Sequence, residues 1–231
     1  MHQRGVKFCA VSQISNLNIN EMDQMWQILY DHHANGWQVQ LTTVTGRMKG
    51  VADMILSLDN YPRLIDKILE LRKRDGLNVR AGENIGYYGC KGSELWDELP
   101  YLGCYAGTRI LGIESDGTIK GCLSMPEDFV EGNIRDRSLT EIWNDPNTFS
   151  YNRNFTKESA DGPCRDCHYL PLCRGGCTTT SFSQTGSVAN NPYCIYQLEL
   201  KQGIQPPPDT EAVAEVLSRF HCAPVKKTGT E

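Results

Sequence analysis

What most constrains this 231-residue chain is the spacing of its cysteines. Seven of them, Cys104, Cys122, Cys164, Cys167, Cys173, Cys177 and Cys194, follow an eighth, Cys90, in the pattern C-x13-C-x17-C, a gap of forty-one residues, then C-x2-C-x5-C-x3-C-x16-C. A C-x2-C pair lets two thiolates converge on one metal centre from a single tight turn, a third at x5 closes the same pocket, and a distant fourth completes it. Eight thiolates suffice for two four-ligand sites. Hydrophobic residues make up 39% of the chain, enough to build a core at this length without metal or disulfides. The cysteines are therefore expected to serve chemistry and not folding alone.

The residues between the cysteines suit a cluster. Pro163, Pro171 and Pro192 restrict the backbone beside them, and Gly175-Gly176 let main-chain N–H groups approach sulfur. Arg174 offers a positive charge nearby, and His168 lies inside the x5 loop, where a bond to sulfur and a solvent-facing position are equally compatible with the sequence. Thiolates with no histidine arrangement suit iron-sulfur or zinc, and spacing alone does not separate the two. Zinc ribbons usually repeat the C-x2-C knuckle, and here the second knuckle is absent, which favours iron-sulfur.

The formal charge of -5 is spread without a basic run, so neither nucleic acid nor an anionic membrane is an expected partner. The stretch from Met1 to Cys9 has no apolar h-region, and nothing approaches the roughly 20 apolar residues of a membrane span. The reading is cytoplasmic. Disulfides are rare in that reducing compartment, which again directs the cysteines to metal.

Along the chain, Val6 to Ile14 reads as a strand, after which Asn18 or Asn20 is expected to cap a helix with Met22, Met25, Trp26, Leu29 and Tyr30 on one core-packing stripe, stopped by Gly36. Trp37 to Val44 reads as a second strand, followed by a Gly46-Arg47 turn and a helix from about Tyr61 to Arg74 with Leu64, Ile68 and Leu71 at helical spacing. Asp75-Gly76 then turns into a third strand, Leu77 to Arg80. Such alternation predicts right-handed βαβ units and a mostly parallel sheet. Three strands cannot close a barrel, so further strands are expected upstream. Beyond Gly82, Thr108 to Cys122 predicts a hairpin around Asp116-Gly117, with short helices at Ser138 to Trp143, ended by Asp145-Pro146, and at Tyr193 to Lys201. Pro206-Pro207-Pro208 is expected as an extended linker to a final helix, Thr210 to Phe220.

From Gly86 to about Leu200 the chain resembles the SPASM domain, the auxiliary-cluster module C-terminal to the barrel of many radical S-adenosylmethionine (AdoMet) enzymes that modify peptides and proteins. The residues that carry the likeness are a leading cysteine, Gly117-x4-Cys122, the C-x2-C-x5-C-x3-C run and the last cysteine. The phrases Gly86-Tyr87-Tyr88-Gly89, Gly132-Asn133-Ile134, Ser138 to Trp143 and Cys173-Arg174-Gly175-Gly176-Cys177 add to it. The resemblance implies an α/β fold in which residues 1–85 are the last part of a partial (β/α) TIM-like barrel, 86–203 a small α+β cysteine-rich domain, and 204–231 a linker and tail. It implies two [4Fe-4S] clusters, the first held by Cys104, Cys122 and Cys177 with Cys90 as candidate fourth ligand, the second by Cys164, Cys167, Cys173 and Cys194. A peptide or protein substrate and a reductant such as flavodoxin or ferredoxin follow as implied partners.

The sequence departs from the family in two places. The C-x3-C-x2-C triplet that holds the radical-generating cluster is absent, so AdoMet and a third [4Fe-4S] cluster are expected only in a full-length enzyme; the chain is read as the C-terminal portion of that enzyme, ahead of a naturally split or degenerate subunit, and alone it is expected to be inactive. Where the sulfatase-maturing branch has an acidic residue after the G-x4-C cysteine, this chain has Leu123, which lowers that reading in favour of other peptide modifications. The alternatives are a non-catalytic iron-sulfur electron carrier or binding module and a zinc-stabilised interaction domain.

Other residues receive plainer readings. Cys9 and Cys222 fall outside the pattern and are expected to be small buried hydrophobes. His32 and His33, adjacent on a helix, are expected on the surface. Ser12, Gln13, Gln40 and Thr42 are candidates to face a cofactor or substrate, except that strand alternation puts Ser12 and Gln13 on opposite faces.

Overall fold

The computed structural model describes residues 5–96 and 101–204. The chain opens with β1 (Cys9–Ile14), α1 (Met22–Asp31), β2 (Gly36–Leu41), α2 (Tyr61–Arg72) and β3 (Asn78–Ala81). The three strands form one sheet in the order β1-β2-β3 with both pairings parallel, Ser12 opposite Val39 and Val39 opposite Ala81. This is the pair of βαβ units that the alternation predicts, and period-two patterning sorts the faces. Ile14, Trp37, Val39, Leu41 and Val79 join Met22, Trp26, Leu64, Ile65, Ile68 and Leu71 in one buried cluster. On the other face Cys9, Val11, Gln13, Asn78 and Arg80 are exposed and Gln38 and Gln40 half-buried. Parallel sheets are normally covered on both sides. Among the described residues one side here is open.

Ser12 belongs to the helix-covered side, where it accepts the Trp37 indole N–H at 3.0 Å, while Gln13 and Gln40 lie on the open face. Thr42, just beyond β2, is buried. Three local expectations are corrected. Asn18 does not cap α1; its side-chain oxygen accepts the Ser15 N–H and its amide donates to the Gln13 carbonyl, so it closes the turn after β1. Gly36 does not stop α1. The helix ends at Asp31, His33 takes a left-handed φ of 56° and Ala34 N–H reaches back to the Leu29 carbonyl, while Gly36 begins β2, where an added Cβ would lie 3.3 Å from the Cys9 sulfur. His32 and His33 are exposed, as expected, although they lie just beyond the helix and not on it.

The remainder is built of short pieces: α3 (Cys90–Leu95), an antiparallel sheet of β4 (Gly112–Ile113), β5 (Thr118–Lys120) and β6 (Val130–Asn133), then α4 (Leu139–Asn144), α5 (Ser150–Arg153), α6 (Gly162–Arg165), α7 (Leu170–Cys173), α8 (Thr178–Thr185) and α9 (Ile195–Lys201). The hairpin turns where expected: Gly117 holds φ 92°, and the Asp116 carboxylate accepts the Thr118 N–H. Helix α4 carries a capping box, Ser138 with Glu141. Pro206-Pro207-Pro208, Thr210 to Phe220 and Cys222 lie outside the described residues.

Tyrosine hydroxyls tie the two parts together. Tyr61, fully buried on α2, accepts the Gly86 N–H and donates to the Tyr193 carbonyl, and Tyr193 donates to the Leu56 carbonyl. The buried Glu199 on α9 takes the N–H groups of Cys90 and Lys91, one on each carboxylate oxygen, at 2.8 and 3.0 Å. The beginning and end of the cysteine-rich part are thus pinned against α2 and the sheet.

Candidate metal centres

Cys164, Cys167, Cys173 and Cys194 line a single pocket closed by Tyr87, Leu170 and Asn191. Each comes from a different local device. Cys164 lies in α6, Cys173 ends α7, Cys194 occupies the N-cap position of α9, and Cys167 sits on the turn between α6 and α7. After Cys173 the chain reverses through three left-handed residues, Arg174 at φ 51° and Gly175 and Gly176 at 79°. A Cβ on Gly175 would come within 2.4 Å of Ala189, and one on Gly176 within 2.4 Å of the Tyr87 ring. Only glycine allows this approach.

Main-chain donors already face these sulfurs. Cys164 meets the Asn191 N–H, Cys167 those of Tyr169 and Leu170, Cys173 that of Gly175, and Cys194 those of Gln197 and Tyr196. Burial nonetheless dominates: it raises all four thiols, carrying Cys194 up to about 12 and Cys173 well above the ordinary range. Such thiols stay protonated at neutral pH and are poor nucleophiles. A cationic centre is what would deprotonate them, with the N–H groups then stabilising the resulting thiolates. The donor set, the enclosed pocket and the glycine cradle therefore fit a thiolate-bound cluster and do not fit a redox-active thiol pair.

Cys104, Cys122 and Cys177 form a second group. Cys177 is the N-cap of α8, and burial raises it to about 11, after which the Thr180 side chain, the charge of Cys104, the Thr180 N–H and the charge of Cys122 act on it. Cys104 and Cys122 are half-buried beside Ala106, Met125 and Phe129. The Asn152 amide holds the Cys104 and Ala106 carbonyls, each at 2.7 Å. Arg174 packs its stem on Gly103 and donates to the Asn152 carbonyl, so the positive charge expected beside the cysteines is present, near Cys104. Cys90 is placed differently: it is exposed at the start of α3, held through its backbone by Glu199. Among the described residues, no three His, Cys, Asp or Glu side chains converge on the position of a single metal ion.

His168 is half-buried against Tyr169, and its Nε2 is enclosed without a hydrogen-bond partner among the described residues. Cys9 is corrected from a buried position to an exposed one. It starts β1 at the rim of a cleft of about 470 Å³ on the open face of the sheet, with Gln38, Arg80 and Trp96 also at its wall. Sequence reasoning assigned no role to Tyr87, Asn191, Gln197 or Glu199, which reach the cysteines from distant positions. The advance signals were that Tyr87 lies in the Gly86-Tyr87-Tyr88-Gly89 phrase of the resemblance and Asn191 three residues before a cysteine.

Residues 104–168 match SPASM, described as an iron-sulfur cluster-binding domain. The chain is 26% identical over 210 residues to the AdoMet-dependent heme synthase of Oleidesulfovibrio alaskensis, covering 85% of this chain and 53% of that protein. It is 29% identical over 127 residues to the cysteine-type anaerobic sulfatase-maturating enzyme of Clostridium novyi, covering 53% of this chain and 33% of that enzyme. Among solved structures, anSMEcpe with bound AdoMet superposes with a TM-score of 0.56 at 17% identity, covering 94% of this chain and 59% of its own. SuiB of Streptococcus suis, bound to precursor peptide SuiA, gives 0.52 at 15% identity, covering 82% of this chain and 44% of its own. The chain spans about half the length of the heme synthase it matches.

Proposed function

From a chain that carries a SPASM iron-sulfur cluster-binding domain on part of the barrel fold of radical AdoMet enzymes, we propose the substrate-side half of a radical AdoMet enzyme that modifies a peptide or protein. Cys164, Cys167, Cys173 and Cys194 hold one [4Fe-4S] cluster; Cys104, Cys122 and Cys177, with Cys90 as candidate fourth ligand, hold the other. When bound, such clusters supply one-electron transfer or a docking surface for substrate. The observation that carries the reading is the meeting of four cysteines from four local elements around one pocket, their sulfurs facing main-chain N–H groups. AdoMet and the radical-generating cluster belong to the full-length enzyme, whose reductant is of the flavodoxin or ferredoxin class. The setting is cytoplasmic; no helix among the described residues is long and apolar enough to cross a membrane.

The peptide or protein substrate is supported by what SuiB binds and by the name of the sulfatase-maturating relative. The heme synthases support a second reading, in which the same clusters serve an enzyme acting on a heme precursor. Mass spectrometry of the full-length enzyme offered both substrate classes separates the two. The cluster assignment is tested by iron, sulfide and zinc content after anaerobic reconstitution. Two four-iron clusters give about eight irons and eight sulfides per chain; zinc in their place, or paired disulfides without metal, overturns the proposal.

A further inference from the structure

Tyr87 stands between the two groups of cysteines. Its φ of +139° is one a non-glycine residue rarely holds, and such strain, on the order of 1–3 kcal/mol, persists only where the surroundings over-determine it. They do so here. The ring lies against Gly176, where even a methyl group would collide with it, and it walls the pocket of Cys164, Cys167, Cys173 and Cys194. Its hydroxyl, however, serves the other group: it accepts the N–H of Cys177 at 2.8 Å. The Asn191 amide donates a second hydrogen bond to the same oxygen at 2.9 Å, and the Asn191 carbonyl oxygen is in turn committed to the Tyr193 N–H.

A phenol oxygen accepts at two positions and donates from one. Both acceptor positions are filled, and the side chain is 3% exposed, so water is not at hand for the remaining proton. The Cys177 N–H is a donor and cannot take it, and the Asn191 carbonyl oxygen already accepts from Tyr193. A buried donor left unsatisfied costs about 1–3 kcal/mol. Two acceptors stand beside it at Cys177: the backbone carbonyl, which the Asn191 amide already approaches at 3.5 Å, and the sulfur, whose charge acts on the Tyr87 hydroxyl.

We propose, on the cluster reading above, that Tyr87 is the positioning residue common to both sites: its oxygen fixes Cys177 and Asn191, its O–H is given to sulfur of the cluster held by Cys177, and its ring closes the pocket of the other. Hydrogen bonds to sulfur stabilise the more negative, reduced cluster and raise its potential. The test is a pair of potentiometric titrations followed by electron paramagnetic resonance on the reconstituted chain, with the two signals assigned from variants lacking Cys104 or Cys164. Tyr87→Phe keeps the ring and loses the proton. It should retain iron close to wild type and shift the Cys177-held cluster to lower potential, with a smaller change in the other cluster. Incorporating 3-fluorotyrosine at position 87 leaves every contact in place with a stronger donor and should shift the same cluster upward, which decides the matter even where Tyr87→Phe fails to fold. Unchanged potentials in both variants overturn the inference while leaving the cluster reading intact. A wild-type chain that takes up no iron overturns both.

Discussion

The two halves of this molecule are held together by different means. The βα half is built on one continuous apolar cluster, from Ile14 through Trp37 to Ile68, which Leu95, Tyr193 and Ile195 of the other half join. Apart from those three residues, the cysteine-rich half has small separate clusters among its described residues, several built partly of cysteine. Its longest described helix, α8, has eight residues, far below the roughly 12–15 at which a helix approaches independent stability. Regular secondary structure and a shared core stabilise the first half. Turn geometry, tyrosine hydroxyls and thiols converging from distant segments define the second, so its order depends on what the thiols bind.

The sharpest way to break that contrast is to remove the metal. Binding energy at a structural thiolate site is folding energy, on the order of 10 kcal/mol in small zinc domains. Stripping iron anaerobically should abolish protease protection from Cys90 to Cys194 while leaving the segment from Cys9 to Ala81 protected. Equal resistance with and without iron would place the stability of the second half in its apolar packing. The converse substitution is Ile68→Ala, fully buried in α2. It should cost about 2–5 kcal/mol in denaturant unfolding of the βα half and leave the proportion of iron bound by folded chain unchanged.

These expectations also show what the sequence made legible. The βαβ order was readable because period and turn chemistry are local, and the cysteine pattern because metal ligation demands fixed spacing. The stop of α1 was misread at Gly36 because the left-handed residue is His33, a conformation glycine holds more readily. Asn18 was misread because its side chain found closer partners in Ser15 and Gln13 than in the helix ahead. The roles of Tyr87 and Glu199 went unread for a further reason: each matters through partners about a hundred residues away, Cys177 and Asn191 for one, Cys90 and Lys91 for the other. No spacing rule reports a meeting that only the completed fold creates.

Smaller effects sharpen the comparison within the cysteine-rich half. Gly175→Ala puts a methyl group on a left-handed residue 2.4 Å from Ala189. Only the pocket of Cys164, Cys167, Cys173 and Cys194 should lose metal, leaving about four of eight irons by colorimetric assay, the content of one cluster. Ser138→Ala removes the cap of α4 and should lower stability by about 1 kcal/mol without changing iron content. The smallest effect belongs to the surface of the βα half. Hydrogen bonds from Arg74, then Lys67, hold the Asp23 carboxyl below its ordinary value, and Lys67 and Arg74 do the same for Glu70. Their contribution is complete above the ordinary carboxylate range and is lost as pH falls through the lowered values. Because both carboxylates are half exposed at the surface, Asp23→Asn should cost less than about 1 kcal/mol, and the difference from wild type should vanish in acid.

The central claim, that two separate sets of thiols hold two separate clusters, is tested most directly by iron content per chain in three proteins reconstituted side by side: wild type, Cys104→Ala with Cys122→Ala, and Cys173→Ala with Cys194→Ala. The account predicts about eight irons for wild type and about four for each double variant, with a different paramagnetic signal surviving in each. A double variant that loses all of its iron, or none, would contradict it.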